Sequence, residues 1–159
     1  MRLGLLICFV CLTALATTVS ARKAPQQTIF ISGTGSSELY VIEPSENAVV
    51  QTIPIDRPHG LAATKDGKFL WVSTGWLDTR TSAAVTKINA MSGEVVETHS
   101  VPHNDALALA NNDRHLYIAG FPMGCYYVFD TVDGKITAKI DVPGDLPASF
   151  APRASRGRL

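Results

Sequence analysis

Hydrophobic residues alternate with polar ones in short runs along this chain, and the runs recur. The segments IFISG, LWVSTG and LYIAG each contain one aromatic residue, at Phe30, Trp71 and Tyr117. Alternation with a period of two is typical of β-strands that bury one face. No helical periodicity of useful length follows the apolar run at the N-terminus. We therefore expect an all-β chain.

The runs repeat with a regular spacing. The three aromatic residues are separated by 41 and then 46 residues, whereas a second set of strand positions is separated by 46 and then 41. Both orders agree if the unit is 41 residues long and five extra residues lie between Trp71 and Ile88. A period of about 40 residues with several short strands and Gly-containing turns is typical of β-propeller blades. The second set consists of Ile42, Ile88 and Phe129.

The units LYVIEPSENAVVQTIPIDRPHGLAATKDGKFLWVSTG and YYVFDTVDGKITAKIDVPG resemble the YVTN-type β-propeller repeat over about residues 28–144. The resemblance implies that the innermost strands, next to a central channel, lie at 61–63 and 107–109. The chain departs from the family pattern at Asn112-Asp113, which stands where the pattern has Asp-Gly, and in the insertion at Trp76.

The N-terminus has the pattern of a secretory signal peptide. Arg2 precedes the apolar run 3–16, and small residues lead up to Ala21. The run is shorter than the roughly 20 residues that span a bilayer. We predict cleavage after Ala21 and a secreted, extracellular or periplasmic protein without a membrane span. The predicted divisions are a signal peptide at 1–21, a leader at 22–27, a partial propeller at 28–151 with repeats at about 28–68, 69–114 and 115–151, and a flexible tail at 152–159.

The repeats predict about three four-stranded antiparallel blades, the first of which lacks its inner strand. The segment 147–152 resembles a further inner strand. Four to eight blades close a propeller. Two explanations remain open: the chain is a truncated remnant of a longer propeller, or two copies join head to tail into a six-bladed ring, each supplying its terminal inner strand to the other.

Composition narrows the functional classes. The 14 basic and 14 acidic residues balance, which gives no electrostatic argument for a nucleic-acid partner. Cys125 is the one cysteine that follows the predicted signal peptide, so we expect it to be buried and without an intramolecular disulfide.

Candidate chemistry lies mainly at the entrances to the predicted inner strands. His59 precedes the first, and His103 and Asp105 precede the second, so we expect these three side chains to form a ligand-binding site at the mouth of the channel. The 44-residue separation of the histidines is not a local metal motif, and neither a Gly-x-Ser-x-Gly elbow nor a Cys-x-x-Cys-His haem motif occurs. We therefore predict no catalytic residue, metal or cofactor.

The five-residue insertion is the second candidate. Trp76, Leu77 and Arg80 combine apolar, aromatic and basic character in a loop, a composition typical of protein contacts. We predict an exported, non-enzymatic binding scaffold for an unknown protein or small molecule. One alternative is a lactonase-like hydrolase, or a subunit of a propeller enzyme, with its site at the channel mouth. The segments LAAT and LALA weigh against a lactonase, because they offer no carboxylate or amide to hold its cation.

Overall fold

A computed structural model describes residues 28–75, 83–110, 112–120 and 124–142 of the chain. These residues form eleven β-strands in three antiparallel sheets, and they contain no helix, as the hydrophobic alternation predicts. No helix able to cross a bilayer occurs in this part of the chain. The strands are β1 Ile29–Gly33, β2 Glu38–Glu43, β3 Ala48–Pro54, β4 Leu61–Ala63, β5 Phe69–Thr74, β6 Ala84–Asn89, β7 Val95–Ser100, β8 Leu107–Leu109, β9 His115–Gly120, β10 Cys125–Asp130 and β11 Lys135–Asp141.

The sheets follow the chain in order. The first contains β1 to β3, the second β4 to β7 and the third β8 to β11, each with sequential neighbours paired. The predicted short inner strands are confirmed as β4 and β8, which lie at the edges of their sheets and contact each other. Within the described residues the first sheet has three strands, as expected for a blade without an inner strand. The sheets start one strand earlier than the sequence repeats, since residues 61–63 end the first repeat but begin the second sheet.

The turn that differs between the repeats keeps its geometry. Gly67 has a φ of 69° in the first unit, and Asp113 occupies the equivalent position with a φ of 56°. Asp tolerates this left-handed conformation better than most residues with a side chain. The Asp113 carboxylate also accepts hydrogen bonds from the Lys65 backbone N–H, at 3.1 and 3.0 Å. The substitution thus preserves the turn and joins it to its counterpart in the preceding unit.

The core lies between neighbouring sheets. Trp71 of the second sheet is 1% exposed and meets the ring of Phe129 in the third sheet edge-on, at a centroid distance of 5.6 Å. Cys125 is buried in the same cluster, as expected. Leu70 and Val72 point to the opposite face and pack against the first sheet. The middle sheet therefore buries both faces, which is how blades stack.

Candidate functional site

Two connectors bring the predicted channel-mouth residues to one end of the sheets. Residues 55–60 lead from β3 to β4, and residues 101–106 lead from β7 to β8. Each connector runs from the outer strand of one sheet to the inner strand of the next. His59 and Asp105 occupy equivalent places on them, 46 residues apart. We call this end of the sheets the connector rim.

Serine hydroxyls fix both connectors to the preceding sheet. Ser32 Oγ donates a hydrogen bond to the carbonyl oxygen of His59 at 2.8 Å, and Ser73 Oγ donates to that of Asp105 at 2.7 Å. These serines are equivalent in the repeat, 41 residues apart. Ser73 Oγ also accepts a hydrogen bond from the Gly60 N–H at 2.6 Å, so one buried hydroxyl links the two connectors.

Two further side chains hold the connectors. Thr34 Oγ1 donates to the Pro58 carbonyl oxygen at 2.7 Å. Asn104, which is buried, donates from Nδ2 to the carbonyl oxygens of Thr74 at 2.5 Å and Ala84 at 2.7 Å. Satisfied buried polar groups of this kind make local structure rigid, because losing any partner leaves a desolvated group unpaired. The connectors therefore present their outward side chains in fixed positions.

His59 and Asp105 form an ion pair across the junction of the second and third sheets. His59 Nδ1 lies 2.7 Å from Asp105 Oδ1. At this distance the imidazole and the carboxylate attract each other as an ion pair when the imidazole is protonated. The Asp105 side chain is 7% exposed and that of His59 is 32% exposed. Burial raises the pKa of Asp105 above its ordinary value, and the charge of His59 opposes that shift. The pair thus places a buried carboxylate, whose charged form burial disfavours, beneath a partly exposed imidazole.

Gly60 permits this close approach. A Cβ at this position would overlap the carbonyl oxygen of Asp105 and lie 2.8 Å from the backbone nitrogen of Leu107. Both obstacles are backbone atoms, which cannot move aside as the end of a flexible side chain can. Gly60 therefore sets the spacing of the two connectors, and with it the distance between His59 and Asp105.

The remaining residues that the sequence analysis assigned to a site are not all described by the structure. His103 is half-buried on the same connector as Asp105 but is not part of the ion pair. Trp76, Leu77 and Arg80 lie outside the described residues. Thr74 and Ala84, which flank that segment, pair with each other at the connector rim. In the part of the chain that the structure describes, no group of three or more His, Cys, Asp or Glu side chains is placed to hold a metal ion.

One cluster was not anticipated. His99 lies on β7, the outermost strand of its sheet. Its ring nevertheless packs between sheets, 5.1 Å from the ring centre of Phe129 and 6.2 Å from that of Trp71, while Nε2 lies 3.0 Å from Glu97 Oε2. The repeat offers a clue to the burial of the His99 ring, because the equivalent residue in the first unit is the buried Ile53.

Comparisons with known proteins identify the fold class. No protein-family description matches the chain, and no curated protein matches its sequence. Solved structures do match, with identities under 20%, and establish a β-propeller-like fold. Kuenenia stuttgartiensis hydrazine synthase matches with a TM-score of 0.66 and 18% identity, over 77% of this chain and 34% of that chain. AztD from Citrobacter koseri matches with a TM-score of 0.63 and 18% identity, over 85% of this chain and 37% of that chain. U3-55K matches with a TM-score of 0.61 and 16% identity, over 78% of this chain and 38% of that chain. The chain spans about a third of the length of these structures, whose names indicate different roles.

Proposed function

We propose that this protein is an exported, non-enzymatic scaffold built from YVTN-type propeller repeats, and that it binds its partner at the connector rim. The observation that carries the proposal is the His59–Asp105 pair. It lies between two sheets, on connectors that the Ser73 hydroxyl and the Asn104 amide hold by hydrogen bonds to backbone groups. Binding residues concentrate on loops that a rigid scaffold positions.

The chemistry of the rim suits a partner with both polar and apolar groups. The partly exposed imidazole of His59 offers a charged or neutral ring at the surface, depending on its protonation. The segment 76–82, with Trp76, Leu77 and Arg80, connects strands that end at the same rim. Aromatic residues and arginine are enriched among the residues that dominate binding energy. A protein partner, or a small molecule with an acidic group, fits this composition.

Binding can be tested by comparing the two ends of the sheets. The mature protein is immobilised, and proteins and small molecules from the compartment outside the cytoplasm are passed over it. Asp105→Asn changes the rim, and Trp76→Ala changes the segment between two strands that end there, whereas Met91→Ser changes an 89% exposed residue in a turn at the opposite end. We expect the rim variants to weaken retention of a bound partner at least about tenfold, as residues at binding hot spots do, and Met91→Ser to retain it. Equal retention by all three variants would contradict the proposal.

Export has its own test. The N-terminal pattern predicts that the exported protein starts at Arg22. Amino-terminal sequencing of protein recovered outside the cytoplasm should give Arg-Lys-Ala-Pro. Recovery of an uncleaved chain in the cytoplasm would refute this part of the proposal.

The enzymatic alternative is favoured by the same pair. A carboxylate beside an imidazole is the arrangement that orients a general base in many hydrolases. Ser73, the nearby hydroxyl, already donates to the Asp105 carbonyl oxygen and accepts from the Gly60 N–H, which leaves it poorly suited to attack a substrate. Hydrolysis of simple lactones and esters that His59→Gln abolishes would establish the alternative. Absence of hydrolysis would favour the scaffold.

A further inference from the structure

Within the described residues, the first and third sheets each present one face that no other sheet covers. On the first sheet, Ile29 is 49% exposed and Ile31 is 45% exposed. Their equivalents in the second sheet, Leu70 and Val72, are 2% and 0% exposed, because they pack against the first sheet. We call the face of the first sheet that carries Ile29, Ile31, Tyr40 and Ile42 the leading face.

The third sheet presents the opposite face. Its positions equivalent to Trp71 and His99, which pack against the next sheet along, are Tyr117 and Ile140. Tyr117 is half-buried, and Ile140 is 45% exposed, whereas Trp71 is 1% exposed. We call the face of the third sheet that carries Tyr117, Tyr126, Val128 and Ile140 the trailing face.

The two faces are complementary because of the repeat. At both internal junctions, the trailing side of one sheet packs against the leading side of the next, and equivalent positions fill the two cores. The leading face of the first sheet therefore has the shape and apolar character that the trailing face of a preceding sheet requires. The third sheet of a second copy supplies such a face. Contact between two different surfaces of identical chains is a heterologous interface, which closes into a ring when the rotation allows it.

The strand pairing points the same way. The inner strands pair in a constant register, with Leu61 opposite Val72 and Leu107 opposite Ile118. The position equivalent to Val72 and Ile118 on β1 is Ile31. The described residues pair β1 with β2 alone. In the 41-residue repeat, the residues that correspond to Leu107–Leu109 are 148–150, Ala-Ser-Phe, which lie outside the described residues.

The connector length indicates which β1 these residues reach. Six residues, 55–60 and then 101–106, carry the chain from the outer strand of one sheet to the inner strand of the next. In the 41-residue repeat, residues 142–147 correspond to 101–106. A connector equivalent to 101–106 would deliver 148–150 to the sheet beyond the third. It would not return them to the first sheet of the same chain, because the whole second sheet lies between the first and the third.

From these observations we infer that two copies associate head to tail, with the trailing face of each on the leading face of the other and residues 148–150 of each added to β1 of the other. The three described sheets of each copy then form a ring of six sheets, within the range that closes a propeller. One residue of the third sheet differs from its equivalents in the first two, and this difference makes the junctions between copies weaker than the junctions within one chain. Ala119 stands where Ser32 and Ser73 anchor the following connector, so that hydroxyl bond is missing.

Sedimentation velocity on the mature protein and matched variants tests the faces. Ile31→Glu places a charge on the leading face and Ile140→Glu places one on the trailing face, at positions of equal exposure. Val95→Glu is the control, because Val95 stays 58% exposed although its sheet has neighbours on both sides. We expect the wild type and Val95→Glu to be dimers and both face variants to be monomers. A monomeric wild type, or dimeric face variants, would overturn the inference.

Mixing the two face variants separates this interface from a symmetric one. In the mixture, the unchanged trailing face of the Ile31→Glu variant can pack on the unchanged leading face of the Ile140→Glu variant. The mixture should therefore contain dimers although each variant alone is monomeric. An interface that uses the same surface on both copies would not be rescued by mixing. Circular dichroism of each variant shows whether it is folded.

A disulfide tests the strand addition even if a charged variant fails to fold. Ile31→Cys combined with Ala148→Cys places two cysteines opposite each other in the expected register, while the native Cys125 is fully buried. Oxidation should give a covalent dimer on a non-reducing gel. A disulfide within one chain, or no cross-link under conditions where both thiols are reactive, would contradict the pairing.

Discussion

Ser73 joins both connectors, so its replacement tests how the rim is held. The Ser73→Ala variant removes the acceptor of the Gly60 N–H and the donor to the Asp105 carbonyl oxygen, both in a position where the serine is fully buried. An orphaned buried polar group costs about 1–3 kcal/mol. Gly60 is half-buried and regains part of this from water, so we expect a total loss of about 2–3 kcal/mol.

Ser32→Ala is the matched control. Its hydroxyl makes the equivalent bond to the His59 carbonyl oxygen at 2.8 Å, but Ser32 is half-buried and links only one connector. We expect it to cost about 1 kcal/mol. Urea unfolding followed by circular dichroism measures both, and Ser73→Ala should also lower Tm by on the order of 10 °C. If Ser32→Ala destabilises the protein as much as Ser73→Ala, the argument that one hydroxyl links two connectors is wrong.

Three other predictions follow from single residues. The backbone N–H groups of the following turn, chiefly that of Asp133, and the Arg114 guanidinium lower the pKa of Asp130 to about 2. The ionised Asp130 therefore stabilises the protein above about pH 4, and this contribution is lost as the pH falls towards 2. Asp130→Asn should flatten the pH dependence of the free energy of unfolding in that window, and an unchanged slope would refute the lowered pKa. Burial raises the pKa of Asp105, so the protonated carboxyl stabilises the folded protein below the ordinary pKa of 3.8, and this contribution is lost as the pH rises through the pKa of the folded state. Asp105→Asn should remove that loss of stability with rising pH, which the same unfolding series measures. Gly60→Ala should destabilise the protein by about 1–3 kcal/mol through overlap with backbone atoms, whereas Gly35→Ala, with nothing within 4 Å of its added Cβ, should cost less than Gly60→Ala by the same urea assay.

The strand pattern could be predicted from sequence because it rests on local rules. Alternating polarity predicts the longer strands, and the resemblance to a known propeller repeat implies the short strands β4 and β8 at Leu61–Ala63 and Leu107–Leu109, where the structure has them. His59 and Asp105 each precede one of these inner strands, which is why both were expected at the channel mouth. Their separation of 2.7 Å could not be predicted, because it depends on how closely two backbones pack around Gly60.

Side chains that serve the junctions between sheets were harder to recognise. Ser73 and Asn104 look like ordinary polar residues near strand ends, and only the fold reveals that their partners are backbone groups about 30 residues away. His99 is a polar residue on an outer strand, and its packing on Trp71 and Phe129 follows from its equivalence to the buried Ile53 in the repeat. Polarity alone therefore misassigns such positions, whereas comparison of equivalent repeat positions identifies the buried ones.

The central claim is that consecutive repeats fold into adjacent sheets and place His59 against Asp105 at the connector rim. A double-mutant cycle of His59→Gln and Asp105→Asn, measured by urea unfolding at several pH values, tests it most directly. Groups in contact show coupling energies of about 0.5–3 kcal/mol. We predict a coupling in this range, because the imidazole and the carboxylate are in direct contact. Additive effects at every pH, within about 0.3 kcal/mol, would contradict the claim.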